Sequence, residues 1–484
     1  MGRLLKLLSF GGLGLVVAVL VAATLVGSLC GQTFTTEHIY HSTWFITLWA
    51  LLATTGIAYI VRTKRRGSLI LLHASLAMVL LGALVTFLTA RHGDIALAKD
   101  GAPASMFEMR DGTLQKLPFR LQLVDVDTIY SKNGSPSDYR AHITTLCEQK
   151  SERGKGKSHT DGIKECAEHT VSLNAPAKIG GYQFCIKGVY DDNVSLLVSH
   201  DPFGRPISYT GYVMMFLSFL MLFFDKKSGF NTLLQNFKDW RLPKNPAKKK
   251  GSDASLRHLV KKLLGLLLCI LVLMCLLWYK RNVFPATNGT EALMLLAVFV
   301  ALLAVTLRSK KEFALLRRVL VVVASGIAIT AGVCGFDGDG DVQPILRTPL
   351  LGVHVTTIII AYALLACTAV NAVIALCTRD EKRRAQQALL GRLLLYPATM
   401  LLAGGIFIGA VWANISWGRY WGWDPKEVWA LITLLVCSVA FHSHSLPFIA
   451  KPKAFHIFCI VAFAAVLFTF FGVNWLLGGL HSYM

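Results

Sequence analysis

The sequence predicts an all-α polytopic membrane protein of about eleven transmembrane helices, with one extracytoplasmic β-rich domain inserted between helices 3 and 4. Three observations carry this. Of 484 residues, 54% are hydrophobic and only 16% charged, with a mean hydropathy of +0.53, which excludes one large soluble core. Uncharged apolar runs of spanning length recur along the chain. One long interruption, residues 91–206, instead alternates apolar and polar residues in short stretches.

In chain order, the apolar runs lie near residues 9–29, 43–61, 69–90, 207–224, 259–279, 291–307, 315–334, 350–376, 393–412, 427–446 and 455–476. Residues 7–32 carry no charge, but no small-residue cleavage site leads into a soluble mature protein, so the first run is read as a retained helix. Basic residues then set the orientation. Arg62, Lys64, Arg65 and Arg66, then Arg308, Lys310, Lys311, Arg317 and Arg318, then Arg379, Lys382, Arg383 and Arg384, then Lys451 and Lys453 all fall on one side under strict alternation. The N-terminus is expected inside and the C-terminus outside. These loops absorb much of the net charge of +21, so the partner they imply is anionic membrane lipid and no nucleic acid.

The β-rich segment is expected at 91–206, from stretches such as Phe119-Arg-Leu-Gln-Leu-Val-Asp-Val and turn signals at Asn133-Gly134, Gly180-Gly181 and Asp201-Pro-Phe-Gly. Residues 226–257 end in a Lys-rich run and read as a basic cytoplasmic linker. The linker separates a four-helix half, 1–225, from a seven-helix half, 258–484. The 11 cysteines include no Cys-x-x-Cys, so neither a thioredoxin-like motif nor a covalent haem-attachment motif is present. Cys147 and Cys166 bracket a charged loop in the outer domain, and a disulfide or two free thiols both remain open.

Residues 412–429 hold Trp412, Trp417, Tyr420, Trp421, Trp423 and Trp429 between two apolar runs. Asp424 as N-cap, Pro425 at the first helical position and Glu427 at the third predict a helix start, with the aromatic part before it a loop. A membrane-interface aromatic belt is one reading. The other, favoured by Gly418 and Gly422, is a loop presenting several indole faces together to a large flat apolar ligand.

Four histidines stand at helix ends in two levels. His73 lies a few residues into the third span. His442 lies some seventeen residues beyond Asp424, roughly 26 Å along its helix at about 1.5 Å per residue, so both sit toward the inner face. His354 opens the eighth span and His481 follows the last, both at the level of the Trp-rich segment. Singly, each suits hydrogen-bonded packing. Ionisable groups inside spans are nevertheless rare, and two pairs at two depths suit bis-imidazole ligation of a metalloporphyrin. His444 and His456 are alternatives to His442.

At this point the sequence resembles a known family. Trp417-Gly-Arg-Tyr-Trp-Gly-Trp-Asp-Pro-Lys-Glu-Val-Trp is similar to the WWD motif of haem-handling proteins of cytochrome c maturation. Phe470-Phe-Gly-Val-Asn-Trp-Leu-Leu-Gly-Gly-Leu-His-Ser-Tyr resembles the last segment of the CcsA/ResC branch. The first half resembles ResB/CcsB through Leu117-Pro-Phe-Arg-Leu-Gln-Leu, Tyr130, Pro136-Ser-Asp-Tyr, Val171-Ser-Leu-Asn-Ala-Pro, Gly181-Tyr-Gln-Phe and Asp201-Pro-Phe-Gly. The resemblance covers essentially the whole chain as a fusion of both halves. It implies a multi-pass protein of the bacterial cytoplasmic (inner) membrane that exports haem b and attaches it to the Cys-x-x-Cys-His of an apocytochrome c.

By the family's pattern, His73 and His442 match the transmembrane haem ligands, and His354 and His481 the external pair. Trp412, Trp417, Trp421, Trp423, Asp424 and Trp429 line the WWD segment between them. The first half is short, so elements that guide the apocytochrome in longer relatives are in doubt. Attachment needs positioning and no protein nucleophile. Arg419 and Lys426 stand where propionates could be met, though a surface role serves equally, and Asp424 and Glu427 suit caps better than acids or bases. With no Cys-x-x-Cys here, the thiol reductant is a separate partner. The competing readings are a membrane b-type electron-transfer cytochrome, against which each proposed ligand stands alone on its segment, and a haem exporter without synthetase activity.

Overall fold

The computed structural model describes residues 2–63, 67–131, 134–148, 163–239, 265, 267–276, 278–279, 284–285, 288–307, 313–333 and 343–477. Helices α1 (Gly2–Cys30), α2 (Thr43–Arg62) and α3 (Gly67–Thr89) lead into a sheet, and α4 (Gly204–Phe224) leads out of it. Then come α5 (Gly229–Asp239), α6 (Leu267–Leu276), α7 (Gly289–Thr306), α8 (Ala314–Val333), α9 (Pro349–Cys377), α10 (Glu381–Trp417), α11 (Pro425–Val439) and α12 (Pro452–Leu467), the last running on into the π-helical stretch Phe468–Leu477. Among the described residues ten helices are long and apolar enough to cross a membrane, and α6 is a shorter apolar helix inside the fifth expected run. The chain is a multi-pass membrane protein. Lys64, Arg65, Arg66, Arg308, Lys310, Lys311 and His481 lie outside the described residues.

The β-rich expectation holds as one eight-stranded antiparallel sheet: β1 (Arg91–Ala98), β2 (Ala104–Met109), β3 (Leu114–Tyr130), β4 (Pro136–Glu148), β5 (Ile163–Ser172), β6 (Ala177–Ile179), β7 (Tyr182–Tyr190) and β8 (Asn193–His200). Their order is β5-β4-β3-β2-β1-β8-β7-β6. The alternating apolar face closes over Leu97, Phe107, Leu121, Phe184 and Leu196. First and last strands pair with each other, Arg91 opposite His200, so α3 and α4 emerge side by side. A Cβ at Gly82 would lie 2.2 Å from Ser208 Oγ, and one at Gly211 would lie 2.9 Å from the Val79 backbone nitrogen. Small residues let these two backbones approach where lipid offers no hydrophobic drive for association.

Cys166 on β5 is held in a disulfide. Across the ladder on β4, Cys147 pairs by backbone with Lys164, though its side chain lies outside the described residues. Cys147 is therefore the expected partner. Non-reducing mass spectrometry should find one peptide joining the two, and alkylation of both thiols would remove that assignment.

Three element boundaries differ from expectation. Residues 226–257 do not read as linker throughout: Gly229–Asp239 is helical, and Phe230 and Phe237, seven apart, pack on Tyr396 and Phe313 at 6.0 and 5.7 Å. With Leu233 and Leu234 they form a stripe at helical spacing, stronger locally than the polar average. The span expected at 393–412 is the 37-residue α10. It begins at Asp380, whose carboxylate accepts from the amides of Lys382 and Arg383, so the basic stretch there is helical surface. At its other end α10 runs through Trp412 and Trp417, and the loop expected across 412–424 shrinks to 418–424. Only Gly418, left-handed at φ 69°, stops the helix.

The sheet and the second half interlock. Gln183 Nε2 of β7 donates to the Asn414 carbonyl at 2.6 Å, Asn414 Nδ2 donates to Tyr209 Oη of α4 at 3.0 Å, and Ser416 Oγ donates to Asn174 at 3.0 Å. Tyr420, 8% exposed, sits in a directed chain. Ser208 Oγ donates to the Tyr420 hydroxyl, which donates to Thr86 Oγ1, which donates to Asp201 at 2.8 Å. A chain ending on a carboxylate is fully satisfied and specifies one docking geometry.

Candidate functional site

His73 and His442 meet. Their ring centroids are 6.2 Å apart and the rings are nearly perpendicular, at 84°. His73 is in the second turn of α3, and His442 ends the 3-10 turn Ala440–His442 that follows α11, both at the membrane side remote from the sheet. Each Nδ1 faces the carbonyl four residues back, Leu69 at 2.9 Å and Ser438 at 3.0 Å. A carbonyl can only accept, so Nδ1 carries the proton and the lone pair is on Nε2. Phe10 of α1 sets its edge 5.3 Å from His442, and Tyr59 of α2, bonded to Ser445 at 2.6 Å, lies 6.0 Å from Phe10. Four helices of both halves thus frame the pair. Two metal–imidazole bonds of about 2 Å each, plus ring centre to nitrogen at either end, span about 6 Å. The separation suits two axial ligands on one metal, and a porphyrin brings four equatorial nitrogens of its own. His456 does not substitute. It is fully buried, with Nε2 3.2 Å from the Arg384 carbonyl, and His444 is exposed.

At the sheet side, His354 lies in a groove that α10 makes for it. Its Nδ1 donates to the Gly405 carbonyl at 2.7 Å, and a Cβ built on Gly409 would stand 2.6 Å from Cε1 of the ring. Gly405 and Gly409, one turn apart, are the sequence signal that was missed. Two glycines on one face of an otherwise apolar helix admit a ring against bare backbone. As with the inner pair, the basic position of His354 is Nε2. Trp412 and Trp417, T-shaped at 4.8 Å, pack with Leu346 and Leu351.

The expectation of one shelf of indoles is corrected. Trp412 is only 2% exposed. Trp421 packs among the helices of the second half, and Trp423 stacks on Tyr40 at 4.4 Å and 10° and meets Phe45 edge-on. Trp429 lies on Phe468 at 4.0 Å and its Nε1 donates to Thr24. Trp421 and Trp423 stand at 88° to each other. The apolar bodies go where partner helices offer rings and methyls, which the segment alone does not reveal. Trp423 also adopts φ 57°, a conformation that disfavours a bulky residue by about 1–2 kcal/mol and is offset by its stack on Tyr40. The cap expectation holds: Asp424 accepts from the Lys426 amide, and Glu427 accepts from the amides of Gly422 and Asp424. Lys426 Nζ donates to Asn474 at 2.9 Å, on the stretch that leads to His481.

Comparison with known proteins finds two family regions along the chain. Residues 62–193 match the ResB-like family, and residues 286–481 match the family of cytochrome C assembly proteins. Protein NrfI of Wolinella succinogenes is 35% identical over 153 residues, covering 29% of this chain and 16% of that protein. Cytochrome c biogenesis protein CcsA of Chlamydomonas reinhardtii is 33% identical over 234 residues, covering 45% and 65%, and CcsA of Solanum lycopersicum is 27% identical over 256 residues, covering 44% and 82%. The chain thus spans less than two thirds of NrfI and of the Chlamydomonas protein. With both family regions on one polypeptide, the chain belongs to the cytochrome c biogenesis proteins in which a ResB-like part is fused to a CcsA-like part.

Proposed function

We propose that the protein is a cytochrome c synthetase that moves haem b across the bacterial cytoplasmic membrane and presents it for covalent attachment. The observation that carries this reading is the meeting of His73 and His442, one from each half, 6.2 Å apart, each with its Nδ1 on a carbonyl of its own segment and so with its lone pair on Nε2. Haem is substrate here, received at that pair on the inner side. It then passes to His354 and His481 beside the Trp-rich loop, where Trp412 and Trp417 pack with Leu351 and Val355 of the turn that carries His354.

Attachment adds each thiol of an apocytochrome Cys-x-x-Cys-His across a vinyl group. A carbon–sulfur bond forms, the thiol hydrogen goes to the neighbouring carbon, and nothing leaves. The protein's residues have no bond to make or break. They orient the porphyrin and keep its vinyl edge open, and the effective concentration so gained lowers the barrier. Thiols must arrive reduced, by a separate reductant. The charge rule puts the N-terminus inside and the sheet outside.

Co-expression with a Cys-x-x-Cys-His reporter, in cells lacking their own maturation system, tests this. Covalent haem on the reporter is expected. Haem bound to this protein with no reporter product would favour an electron-transfer cytochrome or a simple exporter.

A further inference from the structure

Cationic side chains from three separate elements converge where the Trp loop meets the sheet. A Cβ on Gly418 would lie 3.3 Å from Ser199 Cβ and 3.6 Å from Cys185 Sγ, so the loop rests on β7 and β8 at this point. Arg419 therefore leaves the backbone at the corner where Ser199 pairs with His92 of β1 and with Gln183 of β7. Arg205, in the first turn of α4, reaches the same corner: Nη1 donates to Gln183 Oε1 at 2.9 Å and Nη2 to Ser199 Oγ at 3.3 Å. Its Nε is buried without a partner, which is a donor left over in a well-ordered guanidinium. Arg110 follows Met109, the β2 residue that pairs with Gly93 next to His92.

The charge of this corner is offset only in part from within, by Asp201 and Asp94. Among the described residues none of Arg110, Arg205 and Arg419 forms a salt bridge. The nearby carboxylates are committed elsewhere: Asp201 accepts from Thr86 and the Gly204 amide, and Asp94 pairs with Lys187. The cations leave their mark on His92. Burial first, then Arg110, Arg419 and Arg205 against the opposing Asp201, push it down to about 4, so it stays neutral and can accept or donate a hydrogen bond. Arg419 itself lies over Gly422, its guanidinium carbon 3.2 Å from where a Cβ would be, and so stays folded against the Trp-rich loop.

Three guanidiniums, Arg110 and Arg419 without an ion pair among the described residues and Arg205 with its Nε unpartnered, call for an acceptor bearing more than one oxyanion, since an incompletely compensated cluster of like charge is otherwise unfavourable. At a Trp-rich loop next to the proposed presentation site, the matching ligand is flat, apolar and carries its carboxylates on one edge. We propose that Arg110, Arg205 and Arg419 form a carboxylate-binding corner that holds the propionate edge of the porphyrin on the sheet side. The sheet of the first half thereby contributes directly to substrate binding at the loop of the second. Held by this edge, the porphyrin keeps its vinyl edge turned away from the corner, toward an incoming apocytochrome. This rests on the reading that haem is presented there.

The test uses the full-length protein in detergent, with binding of iron protoporphyrin IX compared against its dimethyl ester, whose propionates are neutral. The parent should prefer the diacid. Arg110→Gln and Arg419→Gln, chosen because neither side chain holds a hydrogen bond or ion pair among the described residues, should each lose about tenfold in diacid affinity while ester affinity changes less than about twofold. An unchanged diacid-to-ester ratio in both variants overturns the proposal. So does a variant that keeps the ratio but no longer retains phosphatidylglycerol, because the corner then serves lipid phosphate. If a His73→Ala, His442→Ala background binds neither porphyrin even when porphyrin is added directly to the detergent-solubilised protein, which bypasses delivery from the inner pair, the presentation reading itself has failed and the corner falls with it.

Discussion

Stably inserted His73→Ala protein is expected to mature the reporter at background level and to carry no haem at either level, the largest effect of any single substitution. The ring makes one hydrogen bond, to a carbonyl of its own helix, so removing it costs the fold about 1 kcal/mol at most, and insertion should survive. What is lost is one of the two imidazoles of the inner pair. Added imidazole should restore part of the product, since a free ring can occupy the space and ligate iron but cannot repair a misfolded bundle. Parental maturation by this variant, with external haem excluded, would sink the scheme of an inner receiving site and an outer presenting one.

Gly409→Ala is expected to reproduce His354→Ala: haem retained at the inner pair, reporter product reduced by about a hundredfold if the ring is displaced by about 1 Å. The methyl would fall 2.6 Å from Cε1, 2.7 Å from Nδ1 and 3.2 Å from Nε2 of His354, too close for all three, so the ring must leave its bond to Gly405. Gly404 supplies the control. A Cβ there meets nothing within 4 Å, so Gly404→Ala should mature the reporter normally and, by relieving glycine's helix penalty, be slightly more stable. Equal loss in both alanine variants would mean that α10 tolerates no substitution in this turn and that His354 is not the reason.

Local chemistry was legible from the chain. Apolar runs of bilayer length specify spanning helices because an unsatisfied backbone in lipid is so unfavourable, and alternation over 91–206 specifies strands because a half-buried sheet has a period of two. Asp424, Pro425 and Glu427 announce a helix start because the orphan amides of a first turn lie within reach of those carboxylates. That His73 and His442 share one depth also follows from counting residues along helices.

Which side chains touch was decided only by the tertiary structure. A membrane helix apolar on all sides carries little information about its rotation, so nothing in the run around Gly405 and Gly409 says that His354 lies there. The indoles scatter for the same reason: Trp423 goes to Tyr40 and Trp429 to Phe468 because those rings arrive from other helices, and a segment cannot know its neighbours. Arg110, Arg205 and Arg419 are far apart in the chain, and of the three only Arg419 stands out in the sequence, by its place in the Trp-rich segment. Strand register and the left-handed turn at Gly418 bring them to one corner, and charge convergence of that kind exists only once the backbone has closed on itself.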